Sequence, residues 1–100
     1  MNTTVPLFIG ESEYISFDFT QRLQTGQTIV SAIYTCDAPM TEDSASAAIN
    51  GTGTIAQARF TLPESASDGG QYTVKCTATC ATPTATKILF AIITAQLVPT

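Results

Sequence analysis

The chain has 100 residues, a formal charge of −4 and only 12% charged side chains, which bounds it to one small domain with a polar but weakly charged surface. Its four cations, Arg22, Arg59, Lys75 and Lys87, are scattered along the chain, so the clustered basic face that phosphate contacts require of a nucleic-acid binder is excluded. Apolar residues at 44% supply enough side chain for a core, which excludes wholesale disorder.

Taken in chain order, the sequence reads as strands separated by turns. Thr4 to Ile9 is a first strand, held to a sheet edge by Pro6, which cannot donate to a ladder. Glu13 to Thr20 follows, with Ile15, Phe17 and Phe19 alternating against Ser16 and Asp18. Gln27 to Cys36 is a third strand rich in β-formers, in which Val30, Ala32 and Tyr34 share one face. Asp37 to Asp43 reads as a loop. Ser44 to Ile49 suits either a short helix or a weak strand. Asn50-Gly51 signals a tight hairpin turn. Thr54 to Leu62 then places Ala56, Ala58, Phe60 and Leu62 on one face and Gln57, Arg59 and Thr61 on the other. After a loop ending in Asp68-Gly69-Gly70, Gln71 to Thr79 and Lys87 to Thr94 form a hairpin pair around Pro83. Strands and turns at this frequency indicate an all-β sandwich or small barrel of about seven antiparallel strands. The core spans about residues 4–95, with a C-terminal tail at 96–100.

Catalytic and cofactor chemistry finds little to work with. The chain has no His, which removes Ser-His-Asp and Cys-His nucleophile systems and most zinc sites. No cofactor, metal or enzymatic activity is expected. Glu11/Glu13 and Glu42/Asp43 are acid pairs without the ligand series of a calcium loop, and read as solvated loop charges. Gly51 and Gly53 read as turn glycines rather than a phosphate cradle. Asn2 and Asn50 fit the glycosylation pattern by chance, since the N-terminal residues lack the features of a secretory signal. Cys36, Cys76 and Cys80 are odd in number and read as reduced, small apolar side chains; a bridge from Cys36 to the Cys76 strand is the alternative.

The segment from Ile88 to Ile93 is apolar on both faces, yet far short of the ~20 residues that cross a membrane. If Ile88, Phe90 and Ile92 fill the core, then Leu89, Ala91 and Ile93 must be covered, either by a loop or the N-terminal strand or by a neighbouring subunit. Those three residues, with Gln96, Leu97 and Val98 of the tail, are the expected partner contacts.

Asp68-Gly-Gly-Gln-Tyr72 resembles the corner of immunoglobulin-like sandwiches, where a Tyr near the start of the sixth strand anchors the turn with its hydroxyl. Val74 stands where antibody domains place their second bridging Cys, so the likeness is to the fold without its disulfide. Tyr34 takes the place of the buried Trp, and Phe17 and Phe60 are structural companions in the core. The stretches Glu13-Tyr-Ile-Ser-Phe-Asp-Phe19, Thr28-Ile-Val-Ser-Ala-Ile-Tyr-Thr35 and Gly70-Gln-Tyr-Thr-Val-Lys-Cys76-Thr-Ala-Thr79 resemble the small immunoglobulin-like virion proteins of tailed bacteriophages, the fibre–tail adaptor and neck or tail accessory type. The likeness runs from about Glu11 to Thr94 and departs at Tyr34, where that family has Trp, and in the apolar last strand. It implies a virion component assembled in the host cytoplasm, a symmetric homo-oligomer contacting other tail, neck or fibre proteins, with no nucleic acid or membrane partner. A capsid-decorating or surface-recognition module that binds carbohydrate or a host receptor is the alternative.

Overall fold

A computed structural model describes residues 2–97 of the chain. These form β1 (Asn2–Phe8), β2 (Ser12–Asp18), β3 (Thr28–Cys36), β4 (Thr41–Ile49), β5 (Ile55–Thr61), β6 (Gln71–Ala81) and β7 (Ala85–Gln96), with no helix among them. One sheet has the order β1-β7-β6-β3 and the other β2-β5-β4. The two inner faces meet in a single core, so the molecule is a β-sandwich.

Period-two patterning builds that core. On β5, Ala56, Ala58 and Phe60 are fully buried, and Leu62 just beyond the strand joins them. Ile15 and Phe17 of β2 lie beside them through the antiparallel register Ile15↔Ala58 and Phe17↔Ala56. From the opposite sheet come Val74, Cys76, Ala78 and Cys80 of β6. Many of these inward residues are Ala or Cys, and small side chains let the layers approach around a few large rings. The only buried polar side chain among the described residues, Gln27, is satisfied: its Oε1 accepts from Gln24 N–H at 3.0 Å and its Nε2 donates to the Pro83 carbonyl at 2.7 Å. That pair of bonds ties the β2–β3 loop to the β6–β7 turn.

Several expectations need correction. First, pairing is antiparallel except that β1 runs parallel to β7. The turn at Gly10 (φ 89°) carries the chain from β1 straight into the opposite sheet, so no hairpin reverses β1 against its neighbour. Second, Thr41–Ile49 is a strand throughout, begins inside the expected loop, and is irregular between Asp43 and Ala48. Third, Val30 is 62% exposed rather than inward, because a bulge between Ile29 and Ser31 turns it out while Ile29 and Tyr34 stay buried.

The β4–β5 turn occurs where Asn50-Gly51 announces it, but the left-handed residue is Gly53 (φ 69°), not Gly51. Asn50 closes the longer loop with its own side chain, whose Oδ1 accepts from Thr54 and Ile55 N–H at 2.8 and 2.9 Å. A Cβ at Gly53 would stand 2.8 Å from Thr28 Cβ, so glycine is required there for space as well as for backbone angle.

Candidate interaction surface

The largest correction falls on β7. Leu89, Ala91 and Ile93 are 7%, 1% and 0% exposed, so they fill the core and cannot be the contact residues assigned to them. The register with β6 explains this: Cys76 faces Leu89, Val74 faces Ala91 and Tyr72 faces Ile93, and residues opposite one another share a face of the sheet. The tight connection at 82–84 fixes that register. The apolar strand is therefore set one residue out of phase from the expectation. Ile88 and Phe90 stand on the outer face, 36% and 38% exposed, with Ile92 half-buried beside them.

Neighbouring strands extend this outer surface. In register, Ile33 of β3, Thr77 of β6 and Ile88 of β7 form one row, and Thr35, Lys75 and Phe90 form the next. Ile33 is 68% exposed, the most open large apolar side chain among the described residues. Periodicity could not have found Ile88 and Phe90, since both faces of β7 are apolar. Ile33 was within reach, because it alternates with the inward Tyr34.

In the tail, Gln96 and Leu97 lie at the surface, and Leu97 N–H donates to the Asp68 carboxylate at 3.2 Å. Val98 lies outside the described residues.

The aromatic residues expected to be structural lie in the core and its corner. Tyr34 packs against Phe17 at a ring-centroid distance of 5.8 Å and edge-on to Phe60 at 5.6 Å, joining the two sheets. Its hydroxyl is buried and meets no partner at hydrogen-bonding geometry. Burial first, then the neighbouring Cys76 thiol and the Glu42 charge, push the Tyr34 phenol well above its usual range. Tyr72 is different, for its hydroxyl accepts from Ser67 N–H at 3.1 Å and pins the loop before β6.

All three cysteines are free thiols. Burial pushes Cys76 up to about 12, which keeps it protonated and unreactive at neutral pH. Burial, followed by the Glu42 and Asp37 charges, also raises Cys36. No three His, Cys, Asp or Glu side chains among the described residues are placed to hold a metal ion. A cleft of about 220 Å³ is lined by Phe17, Asp18, Gln21, Arg22, Leu89 and Phe90. That is below the roughly 300–1,000 Å³ usual for small-molecule sites.

No family model and no curated protein matches this chain. Among solved structures it is similar to the solution structure of amebosin, at 12% identity and a TM-score of 0.40, over 94% of this chain and 89% of that one. A likeness at that level carries no argument about function.

Proposed function

We propose that the protein is a non-enzymatic structural subunit of a tailed-phage virion, linking tail or neck to fibres or adjoining rings through protein–protein contacts. The observation that carries this reading is the outer face of the four-stranded sheet. Ile33, Ile88 and Phe90 are presented there in adjacent rows, where a free-standing sheet is normally polar. The strand order supports an immunoglobulin-like topology: β2, β5 and β4 correspond to one sheet, while β3, β6 and β7 form the other with β1 added at its edge. The Tyr72 hydroxyl at the corner before β6 fits the same fold. A rigid two-layer body repeated around a symmetric particle would gain avidity from many weak contacts without any moving part.

Negative-stain microscopy of virions carrying a tagged copy tests the proposal. Label at the neck, tail or fibre base is the expected outcome. Particles assembled without label would refute it.

A further inference from the structure

A sheet edge exposes a row of unpaired N–H and C=O groups, and proteins usually guard such edges with charge, Pro, bulges or cover. Here the outer edges differ sharply. β1 carries Pro6, β2 carries Glu13 and Asp18, and β4 carries Glu42, Asp43 and an irregular register. Where β7 runs past the end of β1, Lys87 lies on the strand and Arg22 Nη1 donates to the Ile88 carbonyl at 3.2 Å. β3 is the exception. It ends its sheet with nine residues, Thr28–Cys36, that include no charge and no Pro, and its bulge lies near one end, leaving Ser31 to Cys36 regular.

We infer that β3 pairs antiparallel with β3 of a second copy about a twofold axis through Ile33, making one continuous eight-stranded sheet. Three observations select a copy of this chain as occupant. The protein carries a net −4, and β3 is an edge two copies can bring together without adding acids to the contact. Pairing centred on Ile33 sets Ile33 against its mate, Ser31 against Thr35 and Ala32 against Tyr34, so outward residues meet outward and inward meet inward. Finally, an apolar groove of about 150 Å³ lined by Ala32, Tyr34, Ala47, Ala48 and Ile49 runs beside this edge, where an added strand would cover it. The inference deepens the proposed role as a repeated subunit, yet its test reads the free protein. An unlabelled virion and a monomeric chain are therefore distinguishable failures.

Sedimentation velocity across a micromolar to near-millimolar series should show a reversible dimer. Ile33→Lys should weaken it about a hundredfold or more, because two ammonium groups would then face each other across the axis. Far-UV circular dichroism should be unchanged, since residue 33 is 68% exposed. In a Cys36→Ser background, Ile33→Cys should oxidise to a covalent dimer, as directly opposed Cα atoms stand about 4.5–5.5 Å apart. Ile88→Cys should not, because five strand spacings of ~4.8 Å would separate it from its mate. A chain that stays monomeric throughout, or a dimer indifferent to Ile33→Lys, overturns the inference.

Discussion

The two sheets meet in one core but present opposite outer faces. On the three-stranded sheet, the exposed ring of Tyr14 stands among cross-strand polar pairs: Ser12 with Thr61 at 2.7 Å, Ser16 with Gln57 at 3.2 Å, and Arg59 with Asp43 at 2.8 Å. On the four-stranded sheet the corresponding rows are Ile33–Thr77–Ile88 and Thr35–Lys75–Phe90, and among the described residues no side chain–side chain hydrogen bond links them. One face is finished by its own residues and the other is left open. The difference places the exposed apolar rows on the sheet containing β3 and β7, the face on which the proposed contacts rest, while both sheets share the core.

The most severe way to break that comparison is to remove the ring both sheets lean on. Phe60→Ala deletes a fully buried side chain from β5 that packs against Tyr34 of β3. We expect a loss of about 3–5 kcal/mol in urea unfolding. The unfolding should remain one transition, since the core is common to both sheets. Two separate transitions would mean the sheets are independent bodies.

The two tyrosines of the four-stranded sheet sharpen it further, because removing each hydroxyl should have opposite effects. Tyr72→Phe leaves the Ser67 N–H without its acceptor and should cost about 0.5–1.5 kcal/mol. Tyr34→Phe removes a buried hydroxyl that bonds nothing and should leave stability equal or raise it by about 1 kcal/mol. Equal losses in both variants, measured by the same denaturant titration, would show that Tyr34 has a partner. Smaller still is Arg59→Ala, which cuts a pair whose side chains are 47% and 38% exposed, so the cost should stay below about 1 kcal/mol and shrink with added salt.

Strict alternation made β2 and β5 legible in the sequence, and the Gly-Gly-Gln-Tyr run made the Tyr72 corner legible. What was not legible depended on partners distant in sequence. The phase of β7 is carried by its register with Cys76 and Val74, because Ile88 to Ile93 has no polar face of its own to choose a side. Val30 turns outward through a bulge that only the pairing with Thr79 and Cys80 defines. The Ala- and Ser-rich stretch after Asp43 is a strand because β5 pairs along its ends, not because of its own propensity. That Ile88 and Phe90 rather than Leu89, Ala91 and Ile93 face outward follows directly from that undetermined phase.

Glu42 supplies the finest probe of the boundary between the faces. It stands opposite Phe60 in the β4–β5 register, which turns its carboxyl toward the inner layer near Tyr34 and Cys76, while its neighbour Asp43 faces outward to Arg59. Burial first, then repulsion from Asp43, hold the Glu42 carboxyl above its ordinary pKa. A carboxyl raised on folding binds its proton more tightly in the native state, so its contribution is fully present below the unfolded value of about 4.3 and is lost as pH rises through the higher folded value. Glu42→Gln should therefore match the wild type at low pH and be the more stable protein at pH ~7. Asp18, held below the usual range mainly by the Thr20 hydroxyl and then by the Thr20 N–H, acts in the opposite sense in both proteins and cancels from the difference. Thermal melts of the two proteins from the acid range to neutral pH read this divergence directly. A Gln variant less stable at neutral pH would mean that the Glu42 carboxylate is held by a bond the inner layer provides, and the division between a dry inner layer and a wet outer one would have to be redrawn at β4.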